Sequence, residues 1–403
     1  MPIATLSPMP GVFDRLVGQR DVETDLVGAA VAARTGASGS AMTHSWLFTG
    51  PPGSGRSVAA LCFAAALQCT DDAAPGCGRC HACSTTMAGT HGDVRRVVPE
   101  GLTISVKAMR AIVQVAARRP STGRWQVVVI EDADRLTEGA ANALLKVVEE
   151  PPQRTVFLLC APSVDPEDIS VTLRSRCRHV GLITPRADSI AQVLRDVDGI
   201  AADAAQWAAS VSGGHVGRAR RLATDPAARD NRKRALDVAG AVLRPATTYA
   251  AAEELGKSAE TEAKEISADR DERETEELKT ALGAGGTGKG AAGALRGSAG
   301  VLKELERTQK SRKTRTERDI MDRALIDLAG LYRDALAHSM GAAATPNHPD
   351  MAERARDLAS RTRPEGLLDC IEAILDCREA LAQNVKPRFA LAAMAARLSA
   401  AFR

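Results

Sequence analysis

Over the first 180 or so residues, short and mainly apolar runs alternate with longer stretches whose apolar positions recur at helical spacing. The runs are Ser45 to Phe48, Val127 to Ile130 and Thr155 to Cys160. A strand covered on both faces reads this way, because side chains pointing to either side of the sheet all meet protein. Their alternation with amphipathic segments predicts an α/β unit, a parallel sheet with flanking helices. From Pro185 to about Thr224 the runs become short and Ala-rich, as in Ile190 to Leu194 and Ala204 to Ala208, so a small helical domain is expected to follow the sheet. Ala235 to Leu255 is again helical in pattern. Charged residues of both signs then dominate Glu260 to Lys279, which reads as a solvated helix face. Gly283 to Gly300 has almost nothing to bury, and a disordered insertion over about 258–300 is expected. Helical text resumes at Leu302 and fills the chain to Arg403, apart from a break at Thr345 to Pro349. The expected domains are 1–182, 183–226 and 227–403.

At 403 residues with 44% apolar content, the chain is long enough for two to four domains with true cores. Aromatic residues are only 3%, so cores must be built from Leu, Val, Ile and Ala. A formal charge of +3 is too mild to argue nucleic-acid binding from the whole chain, since phosphate affinity comes from clustered cations. There is no leader-like segment and no run of ~18 apolar residues, so a cytoplasmic protein without a membrane partner is expected.

The strand ending at Thr49 runs into Gly50-Pro-Pro-Gly-Ser-Gly-Arg-Ser57, and the apolar helical run Val58 to Leu67 follows. Strand, glycine loop and helix form the context of a phosphate loop. Gly50, Gly53 and Gly55 let backbone N–H groups converge on phosphate oxygens, the helix N-terminus adds positive charge, and Ser57 stands where a Mg²⁺-binding hydroxyl belongs. Arg56 occupies the place of the phosphate-binding Lys, and a planar guanidinium does not reproduce a compact ammonium. Either an ATP/Mg²⁺ site or a glycine turn that no longer cycles nucleotide fits this loop. A second glycine stretch, Gly283 to Gly290, contains Lys289 but lacks a preceding strand and a following apolar helix, and reads as linker.

The run Trp125 to Ile130 ends in Glu131-Asp132-Ala133-Asp134. A phosphate-loop ATPase needs an Asp here to orient Mg²⁺ and a Glu after it to position water. The two acids stand in reversed order, each wrong in length by one methylene, and in-line attack tolerates little misplacement. With Arg56, this predicts little or no intrinsic ATPase activity. Acids solvating a strand-to-helix turn are the plain alternative.

Cys69, Cys77, Cys80 and Cys83 form C-x7-C-x2-C-x2-C, with Pro75, Gly76 and Gly78 supplying turns. Four thiolates surround one ion tetrahedrally and leave no open position, which suits structural Zn²⁺. An iron–sulfur cluster fits the spacing alone. His81 and His91 are read as bystanders, and Cys62, Cys160, Cys177, Cys370 and Cys377 as small core residues.

Taken in order, His44-Ser-Trp-Leu-Phe-Thr-Gly-Pro-Pro-Gly-Ser-Gly-Arg-Ser57, the four-cysteine insertion, Asn142-Ala-Leu-Leu-Lys-Val-Val-Glu-Glu-Pro-Pro152 and Leu173-Arg-Ser-Arg-Cys177 resemble the bacterial clamp-loader AAA+ subunits. Val17-Gly18-Gln19 also fits that family. The resemblance covers roughly residues 10–225. It implies an AAA+ core, a helical lid and an all-α collar that holds the subunit in a hetero-oligomeric ring with gamma/tau motor and delta subunits. The sliding clamp and primed DNA would be met through that complex.

The same resemblance makes Arg176 an arginine finger, offered in trans to a motor subunit's ATP, and sets Ser163 at the family's nucleotide-sensing position. Locally, Arg174, Arg176 and Arg178 read equally well as cations solvating a turn. Motor subunits carry an intact Lys loop, an Asp-Glu strand end and a lid arginine. This chain has Arg56, Glu131-Asp132 and, within Gly213 to Ala219, Gly217 at those places. The resemblance therefore implies a stator in a DNA polymerase complex. The alternatives are a gamma/tau-like motor and a zinc-dependent nucleic-acid binding module, against which the few aromatics argue.

Overall fold

The computed structural model describes residues 11–36, 42–242, 244–282 and 291–403, with side chains undescribed at 245 and 291–299. The chain divides into two compact units, 1–99 with 103–223, and 100–102 with 224–403. Gly283 to Gly290, the second glycine stretch, lies outside the described residues.

The first unit is built on five parallel strands: β1 (Ser45–Thr49), β2 (Val94–Val97), β3 (Gln126–Ile130), β4 (Thr155–Ala161) and β5 (Arg178–Gly181). Their order is β2-β3-β4-β1-β5, so the strand feeding the glycine loop is central. Every residue of β1, β3 and β4 is buried. Successive side chains go to opposite faces: Trp46 and Phe48 join Val127, Val129, Val156 and Leu158 in one core, while Leu47 joins Val128, Ile130, Phe157 and Leu159 in the other. Helices α1 (Arg20–Thr35) and α2 (Arg56–Gln68) contribute to the first core; α3 (His81–Ala88) follows the cysteine insertion. Helices α4 (Val106–Ala116), α5 (Glu138–Glu149) and the short α6 (Val171–Arg174) build the second. In α2, Ala59, Ala60 and Ala64 to Ala66 are fully buried, which lets this helix lie close to the sheet. Ser105, Thr137 and Ser170 cap α4, α5 and α6 by accepting from backbone N–H groups three residues on. Helices α7 (Ala187–Asp196), α8 (Ala202–Ser210) and α9 (Val216–Thr224) close the unit, with Ile190 and Leu194 of α7 and Ala205 and Ala208 of α8 buried.

The second unit consists of α10 (Pro226–Gly240), α11 (Pro245–Ala281), α12 (Ala291–Ser339), α13 (Ala352–Arg361), α14 (Pro364–Ala382) and α15 (Pro387–Ala400) around one core that includes Leu325, Leu328, Tyr332, Leu367, Ile374 and Met394. Residues 258–281, expected within a disordered insertion, are helical and form the end of α11. Ala259 and Ala263 are buried on it, and its acids pair with the bases of α12: Arg312 meets Asp271 at 2.5 Å and Glu274 at 2.6 Å, and Lys313 meets Glu260 at 3.3 Å. A charged run is thus stabilised by its complement on the neighbouring helix. Within the cationic stretch Arg307 to Arg318, Arg312 and Lys313 are engaged in such pairs. Among the described residues no helix is long and apolar enough to cross a membrane.

Candidate functional site

The glycine loop begins where β1 ends, between β4 and β5. Gly50 N–H donates to Pro162 O at 3.1 Å, Ser54 N–H closes a turn onto Pro51 O at 3.0 Å, and α2 starts at Arg56. Gly53 and Gly55 have φ of 87° and 98°, conformations that an L side chain rarely adopts. Space adds a second constraint at Gly53. A Cβ there would lie 2.4 Å from Cβ of His215, in the turn between α8 and α9, so this turn packs directly on the loop backbone.

Gln19 ties the same parts together. It is 4% exposed, and its Nε2 donates to Ser54 O at 3.2 Å and to Ile183 O at 2.6 Å, while its Oε1 accepts from Ile183 N–H at 3.3 Å. The loop is therefore linked to the segment leading from the sheet to α7.

The loop's polar side chains are unevenly employed. The Ser54 hydroxyl and one terminal nitrogen of Arg56 are buried without a hydrogen-bond partner, donors that an anion at the helix N-terminus would satisfy. Ser57 interacts with Cys160 at the end of β4, whose thiol is pushed up to about 12 mainly by burial. Arg56 lies near Asp134, whose carboxyl is raised by burial first and by the charge of Asp132 second. The strand-end acids have cations of their own. Glu131 pairs with Arg96 of β2, and Asp132, at φ 51°, faces Arg135 at 3.8 Å. The residues present fit the holding of an anion. They do not fit the Lys, Mg²⁺-orienting Asp and water-positioning Glu that hydrolysis requires.

The cysteines form a second centre. The Sγ atoms of Cys69, Cys77, Cys80 and Cys83 all lie within 4.8 Å of one another, a set able to hold one metal ion. Backbone N–H groups support the sulfurs: Cys80 N–H donates to Cys77 Sγ and Cys83 N–H to Cys80 Sγ, both at 3.4 Å. Burial opposes ionisation of Cys80, but hydrogen bonds from Thr70 and Cys83 prevail and bring it down to about 6. Arg34 of α1 fastens the cluster from outside, donating to Asp71 O at 2.6 Å and Cys69 O at 3.0 Å. Gly76 O accepts from Val12 N–H at 2.9 Å, so the module also anchors the N-terminal segment. His81 and His91 are outside the ligand set.

Arg176 stands just past α6. Its side chain is 36% exposed; Nη1 donates to Thr172 O at 2.9 Å and Ser175 Oγ at 3.2 Å, and Nη2 pairs with Glu149 Oε1 at 2.6 Å. Ser163 is engaged locally, donating to Asp168 at 2.6 Å and accepting from Asp165 N–H at 2.9 Å. Sequence reading singled out no role for His215, Gln19 or Glu149, because each is defined by a partner distant in the chain.

A central strand feeding a glycine loop and helix in a parallel sheet, followed by small helices that close over the loop, defines a phosphate-loop protein of the AAA+ class. A family described as "DNA polymerase III, delta subunit" matches residues 32–185. The chain is similar to the DNA polymerase III subunit delta' of Pseudomonas aeruginosa, 37% identical over 183 residues, 44% of this chain and 55% of that protein. It is also similar to subunit delta' of Escherichia coli, at 35% identity over 44% of this chain and 54% of that one, and to subunit gamma/tau of Mycobacterium tuberculosis, at 32% over 44% and 30%. The alignments span about half the length of the delta' relatives. Over residues 32–185, then, the chain is similar to the clamp-loader AAA+ subunits of DNA polymerase III.

Proposed function

We propose that this chain is a delta-prime-type subunit, a stator in the clamp loader of a replicative DNA polymerase III, which offers Arg176 in trans to a neighbouring motor subunit. The observation that carries this reading is a contrast within one unit. Its own nucleotide loop has Arg56 for Lys, both strand-end acids engaged by cations and His215 seated on Gly53, whereas Arg176 is held at the surface. A guanidinium fixed in position stabilises charge developing on a transferred phosphoryl group and makes hydrolysis depend on assembly.

In this reading the partners are gamma/tau motors and a delta subunit in a ring, with the sliding clamp and primed DNA engaged by the assembly. The second unit serves as the collar. Cys69, Cys77, Cys80 and Cys83 hold structural Zn²⁺, which lends stiffness rather than chemistry. ATP held on the glycine loop would be a ligand, not a turned-over substrate.

The gamma/tau-like motor is the second reading, favoured by the retained glycine loop and its two unpartnered buried donors. Steady-state ATP hydrolysis separates the two. The isolated chain is expected to be silent, and a reconstituted loader with Arg176→Ala is expected to assemble but lose the hydrolysis of the interface that Arg176 serves. Robust turnover by the isolated chain, with no effect of Arg176→Ala in the complex, would overturn the stator reading in favour of the motor.

A further inference from the structure

We propose that Glu149 is the positioning residue for Arg176, an inference that rests on the trans-finger reading above. The backbone on both sides of Arg176 is anchored: Leu173 is fully buried, Cys177 packs against the same core, and Arg176 N–H and Cys177 N–H donate to Leu173 O and Arg174 O at 3.1 and 3.2 Å. A long side chain on an anchored backbone still samples many rotamers, and ordering it on docking opposes association. Here both terminal nitrogens are already held, Nη1 by Thr172 O and Ser175 Oγ, and Nη2 by Glu149 Oε1.

The first two contacts come from Arg176's own turn. Among the described residues Glu149 alone reaches it from another element, as the last residue of α5, and so it fixes the direction of the guanidinium relative to the sheet. The pair is exposed, 36% for Arg176 and 46% for Glu149, and an exposed pair adds little to folding. Its consequence lies in the orientation of Arg176 before a neighbour docks. The Val-Val-Glu149-Glu segment and the Ser-Arg176-Cys segment thus form one device.

The test is ATP hydrolysis by the reconstituted loader with clamp and primed DNA, comparing native chain, Glu149→Ala, Glu149→Gln, Arg176→Ala and the double variant with Ala at both positions. Glu149→Ala is expected to lower the Arg176-dependent part of kcat about 2- to 5-fold, the range of an exposed ion pair. KM for ATP and assembly by size exclusion should be unchanged. Glu149→Gln, which keeps an acceptor oxygen, should recover most of the loss, and Glu149→Ala should cost nothing further in the Arg176→Ala background. An equal loss in that background, or no loss in a loader that does depend on Arg176, would overturn the inference and leave the finger intact. No loss with Arg176→Ala would sink the finger reading and this inference with it. A tryptophan-fluorescence melt of each variant separates misfolding from these outcomes.

Discussion

Replacing Asp93 by Asn should destabilise the first unit by about 3 kcal/mol at neutral pH, through loss of acceptors rather than of packing. Asp93 is 3% exposed and receives five hydrogen bonds from the turn before β3. Ser121 donates to Oδ1 from its N–H at 2.8 Å and its hydroxyl at 2.9 Å; Thr122 N–H, Thr122 Oγ1 and Gly123 N–H donate to Oδ2 at 2.7, 2.9 and 2.6 Å. An amide keeps the shape but turns an NH₂ toward one of these two groups of donors. In its better orientation it strands the Ser121 N–H, at about 1–3 kcal/mol, and weakens three charge-assisted bonds by several tenths each.

The three tryptophans, Trp46, Trp125 and Trp207, all lie in the first unit, so urea unfolding followed by tryptophan fluorescence reports that unit. The pH dependence gives an independent check. Burial opposes ionisation of Asp93, but the N–H and hydroxyl donors of Ser121, Thr122 and Gly123 hold its carboxyl well below the usual range. Its contribution is therefore present above the unfolded-state value of about 3.9 and is lost progressively as pH falls below it toward the folded value. The gap between native chain and variant should narrow from pH 5 to pH 3. A gap under about 0.5 kcal/mol at pH 7, or one independent of pH, refutes the reasoning.

With zinc on the four cysteines as proposed above, the Cys80→Ser variant should carry less metal and have a lower first-unit melting temperature, read by metal content and the same fluorescence. A chelator should do the same to the native chain and leave the variant unmoved. Gly53→Ala places a Cβ against His215 at φ 87°, so it should loosen the turn between α8 and α9; faster hydrogen exchange at residues 212–218 is the readout. In the second unit, His348 is buried, with Nε2 against Asp327 O at 2.9 Å and Nδ1 against Arg232 at 2.9 Å. Burial lowers its pKa against the opposing charge of Asp327, and the Arg232 charge acts with burial. Stability is full above the unfolded value of about 6.5 and falls as pH drops below it, so exchange of residues 334–350 should quicken from pH 7 to pH 5 in the native chain and not in His348→Gln.

Much of the first unit was legible because the physics that shapes it is local. β1, β3 and β4 announce themselves as uninterrupted apolar runs, since both faces are covered. The sheet edges do not. Val94-Arg-Arg-Val97 exposes both arginines and Arg178-His-Val-Gly181 exposes His179, a pattern shared with loops, and both are strands by pairing with an apolar neighbour. Likewise the composition of 260–279 reads as unable to bury itself, but its partner is the base-rich face of α12, about 40 residues further on. Charge along one helix is uninformative until its neighbour is known.

The site divides on the same line. The glycine loop and the four cysteines were legible because their chemistry requires fixed short spacings: N–H groups converging on one anion, thiolates on one ion. What those centres are coupled to depends on contacts between residues far apart in sequence. Gln19 joins Ser54 to Ile183, which lies 164 positions beyond Gln19, and His215 rests on Gly53. Each contact links the loop to the segments that follow the sheet. The four-cysteine module belongs to the same chain of supports, since Gly76 holds Val12 and Arg34 holds Cys69, one on either side of Gln19. Losing the metal should therefore be felt at the glycine loop as well as at the cysteines. Protection of residues 50–57 from hydrogen exchange should fall on chelation even though no ligand belongs to that loop, and unchanged protection there would show that the N-terminal segment holds its place without the cluster.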